Sequence, residues 1–182
     1  MTPKDPHVSG WVPDFLPAED QLDRQAARLR SLTGHRITGT WTVWDLEHDE
    51  WFADLPVVLC LDHGPQLEVC WKQFDNLSIT WNTIDVRATP RAWVEWPLEW
   101  RQVAHPALTA IADATVDEVA ATSSRFATEN TAEPLGTKPT WLTTGLWLTT
   151  SRGDLHIFSA LDENGLSSQR PSRDSEHDWR HI

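Results

Sequence analysis

Apolar residues recur at the spacing of an amphipathic helix between residues 18 and 32. Leu22, Ala26 and Leu29 fall on one stripe of this segment, and Gly34 suits the position just after a helix. Acidic residues stand near its start and arginines near its end, which favours a helix because its two ends carry opposite partial charges. The sequence therefore predicts one main N-terminal helix.

Beyond this helix, apolar and polar residues alternate with a period of two, which is typical of strands that bury one face. Gly64 and Gly153 each stand in a short turn between two such runs, so each predicts a β-hairpin. A short helical turn is predicted at 105–113, where Pro106 suits a first helical position. The predicted strands lie at residues 36–43, in a hairpin over 56–71, and at 77–86, 115–124, 141–150 and 154–161.

These elements predict an α+β fold that is mostly antiparallel β-sheet. Four prolines interrupt residues 1–17, which we interpret as an irregular arm. Residues 18–166 are predicted to form a single compact domain. Residues 167–182 contain few apolar side chains and are predicted to be a flexible tail.

The two halves of the chain resemble each other, as units at about 28–85 and 107–167. VVLCLDHGPQLEVCWKQFDNLS resembles LWLTTSRGDLHIFSALDENGLS, and Leu67 and Val69 of the first match Leu155 and Ile157 of the second. This agreement favours an internal duplication with pseudo-twofold symmetry. The alternative is that any two amphipathic hairpins look alike.

A three-residue loop at 64–66 would place Leu61 opposite Val69, Leu59 opposite Trp71, and Cys60 opposite Cys70. Cross-strand cysteines can form a disulfide, whereas a reducing cytoplasm favours two free thiols. We expect free thiols.

The chain carries 27 acidic and 15 basic residues, which gives a net charge of −12. Such a surface repels nucleic acid and suits a cationic protein partner. The alternative is that the acidic charge only keeps the protein soluble and serves no partner. No apolar run reaches the roughly 18 residues that cross a bilayer, and the first residues lack the apolar segment of a signal peptide. We therefore expect neither nucleic-acid nor membrane binding, and a cytoplasmic location.

Common catalytic motifs are missing from the sequence, including G-x-S-x-G, the phosphate-binding and dinucleotide-binding glycine patterns, and H-E-x-x-H. We therefore predict a non-catalytic protein with no cofactor and no metal. An enzyme whose histidine and carboxylate groups converge only in the folded chain remains an alternative. Its candidate ligands are the dispersed histidines His35, His48, His63, His105 and His156.

The stretch WDLEHDEW at 44–51 is the strongest candidate for a binding surface. Residues 45–54 hold five acids and neither lysine nor arginine. The stretch alternates acids as a Ca²⁺ loop does, but it lacks the bending glycine and the final glutamate. The alternative is a solvent-exposed loop that binds no partner. Because tryptophan beside carboxylates suits recognition of arginine- and lysine-rich surfaces, we predict that 45–54 is exposed and binds a basic protein. The predicted partner-binding residues are Trp44, Asp45, Glu47, Asp49, Glu50, Trp51 and Asp54.

The twelve tryptophans allow a rival interpretation. Trp93, Trp96 and Trp100 could line one groove, which would make the protein a carbohydrate- or small-molecule-binding module.

The two hairpin segments quoted above resemble those of immunity proteins of bacterial polymorphic toxin systems, over roughly a third of the chain. The resemblance implies a catalytically inert inhibitor that blocks a cognate toxin. It assigns no binding residue, because such families bind their toxins through differing surfaces.

Overall fold

The predicted N-terminal helix is present in the computed structural model, which describes residues 7–126 and 140–182. Helix α1 spans Ala18–Arg30, and its apolar stripe buries Leu22 and Leu29. Gly34 follows with a positive φ of 88°, which glycine adopts at little cost. The short helix α2 spans Pro106–Ala110, and the His105 side chain accepts a hydrogen bond from the backbone N–H of Ala107 at its start.

Seven strands in the first part of the chain form one antiparallel sheet, sheet 1. Its hydrogen-bonded order is β1, β6, β5, β4, β2 and β3, and β7 also pairs with β2. The strands are β1 (Phe15–Pro17), β2 (Ile37–Asp45), β3 (Glu50–Trp51), β4 (Val57–Leu61), β5 (Gln66–Lys72), β6 (Asn76–Trp81) and β7 (Leu98–Gln102).

A second antiparallel sheet, sheet 2, contains the strands of the later part. Its order is β11, β10, β9, β8 and β12. The predicted α+β fold with mainly antiparallel strands is thereby confirmed. The strands are β8 (Val116–Phe126), β9 (Thr140–Thr150), β10 (Gly153–Ser159), β11 (Asn164–Ser167) and β12 (His177–His181).

One hydrophobic cluster joins the two sheets and both helices. Alternate residues of the two hairpins point into it, which is why period-two patterning predicted the strands. Its members include Leu59, Leu67, Trp71, Leu148, Leu155, Ile157, Leu22, Leu29 and Leu108.

A second cluster covers the other face of sheet 1. Val58 and Cys70 point into it from β4 and β5, while their neighbours point into the first cluster. Because both faces are covered, β4 is apolar almost throughout rather than alternating. The cover from outside the sheet includes Val8, Trp11, Phe52 and Ile84, and Leu98 of β7 adds to it.

The register predicted for the first hairpin is wrong. Leu59 pairs with Leu67 instead of Trp71, and Cys60 pairs with Gln66 instead of Cys70. The loop lies earlier in the chain than the predicted 64–66. It closes with a hydrogen bond from the Leu61 N–H to the Pro65 carbonyl at 2.9 Å. The shift is an even number of residues, so the same side chains stay inward. Cys60 and Cys70 are free thiols.

The C-terminal end of the described chain is more ordered than predicted, and the N-terminal arm packs on sheet 1. In the N-terminal arm, Val8 and Trp11 are buried and β1 pairs with β6. The prediction of a flexible tail is wrong for β12, which pairs with β8. Trp179 explains this difference, because its ring packs 5.1 Å from that of Trp147 and gives the polar segment an apolar anchor.

The two sheets share a strand order. Strands β2, β4, β5 and β6 form a meander in the first, and β8, β9, β10 and β11 form one in the second. The starts of β2 and β8 meet in an antiparallel bridge between Arg36 and Thr115. Neither helix in the described ranges is long and apolar enough to cross a membrane.

Candidate functional site

Asp45 supports the loop that follows β2 from within. Only 2% of its surface is exposed, so the prediction that all of 45–54 is exposed is wrong for this residue and for the buried Phe52. Its carboxylate accepts hydrogen bonds from the backbone N–H groups of Glu47 at 2.8 Å and His48 at 3.4 Å. An aspartate in this position stabilises a turn and is unavailable to a partner.

His48 completes this arrangement, with its Nδ1 2.8 Å from a carboxylate oxygen of Asp45. Hydrogen bonding to Asp45 raises the pKa of His48. Desolvation opposes ionisation of Asp45, but the hydrogen bonds from His48 and the loop backbone outweigh it and lower the pKa of Asp45. Both pKa shifts therefore favour the ion pair of Asp45 and His48.

Asp49 and Trp44 attach the loop to the neighbouring strand β7. The Trp44 indole N–H donates to Asp49 at 2.9 Å, and Arg101 of β7 lies 3.0 Å from the same carboxylate. These two contacts lower the pKa of Asp49. Arg101 also lies over the Trp44 ring at 5.0 Å. Trp44 and Asp49 thus have partners within the chain, and Arg101 offsets the loop's charge.

Asp45, His48 and Glu50 are the one trio within the described ranges whose potential metal-ligand atoms lie within 4.8 Å of one another. Both oxygens of Asp45 are already engaged by the loop and by His48. This geometry explains the trio as a loop support, and we assign it no metal.

Of the other predicted histidines, His35 and His63 share one setting, and His105 and His156 lie in two others. His35 and His63 flank Asp62, at 2.9 and 3.9 Å from its carboxylate oxygens. His105 packs on Trp51, with ring centroids 5.1 Å apart. His156 lies on sheet 2. Within the described part of the chain, no three of the five histidines converge on one point.

The groove predicted from three tryptophans is not assembled. Trp93 packs on Phe52 with ring centroids 5.7 Å apart. Trp96 packs on His48 at 4.7 Å. Trp93 and Trp100 both pack against the second hydrophobic cluster, whereas Trp96 packs on His48 apart from them.

An acidic cluster instead forms from two distant segments. Glu50 and Asp54 follow β2, while Asp162 and Glu163 occupy the turn between β10 and β11, and all four residues are exposed. We call these four residues the acidic patch. Partial desolvation and then the charge of Asp162 raise the pKa of Asp54. Desolvation, followed by the charges of Asp54, Asp162 and Glu50, raises the pKa of Glu163.

A cavity of about 190 Å³ opens beside the acidic patch. Asp54 and Asp162 line it together with Lys72, whose ammonium nitrogen lies 5.8 Å from the centre of the Phe15 ring. An aromatic wall with carboxylates at its edge suits a cationic group. The aromatic lining consists of Trp11, Phe15, Trp71 and Trp93.

Asp162 and Glu163 were missed by sequence reasoning. The sequence showed DENGL only as a turn after a hairpin, and no local pattern brings it near residues 50–54. The buried Asn164 supplies the connection, because its side-chain amide donates to the carbonyls of Ala53 at 2.7 Å and Leu55 at 3.0 Å.

The two thiols do not form a nucleophilic site. Burial raises the pKa of Cys70 to about 12, and desolvation likewise raises the pKa of Cys60. Both thiols stay protonated near neutral pH, and the thiolate is the nucleophilic form. Glu68 is also buried, and its carboxylate is occupied by five hydrogen bonds from its surroundings.

Comparison of the chain with protein-family models, with curated proteins and with solved structures finds no match in any of the three.

Proposed function

We propose that the protein is a non-catalytic acidic binding protein that recognises a basic protein partner through the acidic patch. The convergence of Glu50, Asp54, Asp162 and Glu163 carries this proposal, because four exposed carboxylates share one region with Lys72 as the nearby base. Desolvation and then their mutual repulsion raise the pKa of Asp54 and Glu163, and a bound cation would relieve the repulsion.

The partner-binding residues predicted from sequence are revised accordingly. Glu50 and Asp54 stay in the proposed surface, and Glu47 is exposed in the same loop as Glu50. Trp44, Asp45 and Asp49 instead hold the loop, and Trp51 packs against the core. The proposed surface thus combines part of the acidic loop with the turn that follows β10.

The cavity beside the patch supplies an anchoring point for this recognition. An arginine or lysine of the partner could enter the aromatic cavity between Asp54 and Asp162. Stacking on an aromatic ring adds to the charge attraction, because the ring face is negative. Interfaces commonly concentrate their affinity in one such desolvated pocket.

The biological role that we propose is inhibition of a cognate toxin by an immunity protein in the cytoplasm. An acidic inhibitor would approach a basic catalytic cleft quickly, because complementary fields raise the association rate. The hairpin resemblance described above and the acidic patch support this role.

Capture of the partner tests the proposal. The immobilised protein is exposed to an extract of source cells at low salt, and bound proteins are identified by mass spectrometry. We expect one basic protein, which is released as salt rises because screening shortens the range of attraction from about 10 Å at 0.1 M to 3 Å at 1 M. The triple variant Asp54→Asn, Asp162→Asn, Glu163→Gln should no longer bind this basic protein.

A matched variant removes the same charge elsewhere. Asp20→Asn, Glu95→Gln, Asp117→Asn neutralises three exposed acids outside the acidic patch and should retain the partner. Equal retention by both triple variants would show that the acidic patch is not the binding surface. Equal loss in both would show that only net charge matters.

We also propose that the chain arose by duplication of a helix followed by a four-stranded meander. Leu59 pairs with Leu67 in the first unit and Leu148 with Leu155 in the second, at matching steps of the shared strand order. The bridge between the starts of β2 and β8 supports a pseudo-twofold axis near that point. Superposition of 28–85 on 107–167, over their described residues, tests this proposal.

A further inference from the structure

A larger cavity of about 640 Å³ lies on sheet 2. His156 and Phe158 of β10 line it, whereas their neighbours Leu155 and Ile157 point into the first hydrophobic cluster. The cavity therefore lies on the outer face of sheet 2. Its volume is within the range of small-molecule sites, roughly 300–1,000 Å³.

The wall of this cavity is largely apolar. Phe74 and Phe126 meet edge to face across it, with ring centroids 5.1 Å apart. Phe74, Phe126 and Leu161 are exposed by 46%, 36% and 60%, respectively. Large apolar side chains gathered in one concave surface are typical of binding sites.

The ionisable side chains that line the cavity are all bases. They are Arg125, Arg170, His156 and His177, and no carboxylate lines the cavity among the described residues. This contrasts with the net charge of −12 for the whole chain. A negative group would therefore find less repulsion here than elsewhere on the surface.

Arg170 is the best placed of these groups to hold an anion. Arg125 is paired with Glu176 at 3.2 Å, and His177 with Asp174 at 3.1 Å. Arg170 instead lies over the rings of Trp147 at 4.7 Å and Trp179 at 5.8 Å. Stacking uses the face of a guanidinium and leaves the N–H donors at its edge for a carboxylate.

We propose that this cavity binds a small amphipathic anion, whose apolar body packs among the three phenylalanines and whose negative group pairs with Arg170. The body is a short aliphatic chain or a compact aromatic group, as the volume and lining require. His156 contributes a polar wall, since its Nε2 bonds the Thr122 hydroxyl at 2.7 Å and its ring stacks on Phe158 at 5.0 Å.

Fluorescence titration with 8-anilinonaphthalene-1-sulfonate tests the site, with decanoate and decan-1-ol as competitors. We expect saturable binding that decanoate displaces at least tenfold more effectively than decan-1-ol. Arg170→Gln should weaken binding of the sulfonate about tenfold. Leu161→Glu should weaken it at least as much, because it places a carboxylate in a lining that has none.

Two variants serve as matched controls. Arg173→Gln removes another guanidinium stacked on Trp179, at 4.4 Å, but Arg173 does not line the cavity. Val94→Glu adds a carboxylate at an exposed apolar residue elsewhere. Both should bind the sulfonate within twofold of the unmodified protein. Thermal unfolding of each variant confirms that it is folded.

Three outcomes would overturn the proposal. The first is no saturable binding, and the second is equal displacement by decanoate and decan-1-ol with no effect of Arg170→Gln. The third is a dimer in sedimentation that Leu161→Glu dissociates, because the cavity would then be covered by a second copy of the chain.

Discussion

Glu68 is a buried carboxylate whose environment consists of hydrogen-bond donors. It is 1% exposed and accepts bonds from the backbone N–H groups of Thr83 at 2.6 Å and Ile84 at 2.8 Å. The side chains of Gln66, Thr80 and Thr83 donate the other three. Glu68 thereby holds the segment after β6 against the outer face of sheet 1.

Glu68→Gln should destabilise the protein, because an amide turns two donors towards groups that need an acceptor. We expect a loss of about 2–4 kcal/mol in the free energy of unfolding, measured by urea denaturation. Glu47→Gln, at an exposed position, should change it by less than about 0.5 kcal/mol. A loss below about 1 kcal/mol for Glu68→Gln would contradict the structural role.

Because His156 is partly buried, we expect the folded protein to lose stability in mild acid. Burial, and then the nearby His177, lower its pKa to about 4 from an ordinary value of 6.5. The unfolded chain therefore takes up this proton at a higher pH than the folded chain. The stabilisation is complete above pH 6.5 and is lost as pH falls towards 4, by up to about 3 kcal/mol.

Denaturation of His156→Gln between pH 4 and 7 checks this prediction. The variant should lose the part of the pH dependence that His156 contributes, whereas His63→Gln, at an exposed histidine, should keep it. The same pH dependence in His156→Gln and the unmodified protein would assign the acid sensitivity to other groups.

At the scale of elements, Asn164 connects β11 to β5 and to the segment before β4. Its side-chain carbonyl accepts from the Trp71 N–H at 2.7 Å, and its amide donates to the Ala53 and Leu55 carbonyls. Sheet 2 is thereby joined to sheet 1 by polar contacts as well as by the shared cluster.

Asn164→Ala should cost about 3 kcal/mol in the free energy of unfolding, since the Trp71 N–H and the Leu55 carbonyl lose buried partners. Asn76 starts β6, and within the described residues its side chain bonds only the Gln73 side chain, at 3.0 Å, so Asn76→Ala should cost less than about 1 kcal/mol. Equal losses for the two variants in urea denaturation would contradict the bridging role of Asn164.

At the scale of the whole molecule, both sheets share the first hydrophobic cluster and should unfold together. We expect far-ultraviolet circular dichroism and tryptophan fluorescence to give one coincident denaturation curve. Leu67→Ala in sheet 1 and Leu155→Ala in sheet 2 should each shift the whole curve, by about 2–5 kcal/mol. Leu46→Ala, at an exposed position, is the control. Two separate transitions would show that the sheets fold independently.

The sequence by itself determined the main helix, the main strands and their inward faces. The three-to-four spacing around Leu22 and Leu29 predicted α1, and period-two patterning predicted the main strands. These signals are local, because a side chain's direction depends on the backbone of its own segment. The even shift in the first hairpin shows the limit, since patterning fixes the face but leaves the pairing partner open.

The acidic patch was decided only by the tertiary structure. Asp54 and Glu163 are far apart along the chain, and Asn164 brings their segments together through contacts that no local pattern encodes. The same holds for Asp45, which the sequence placed among exposed acids but the fold buries beneath its own loop. A charged residue's role depends on which groups surround it in space, and only long-range packing sets those neighbours.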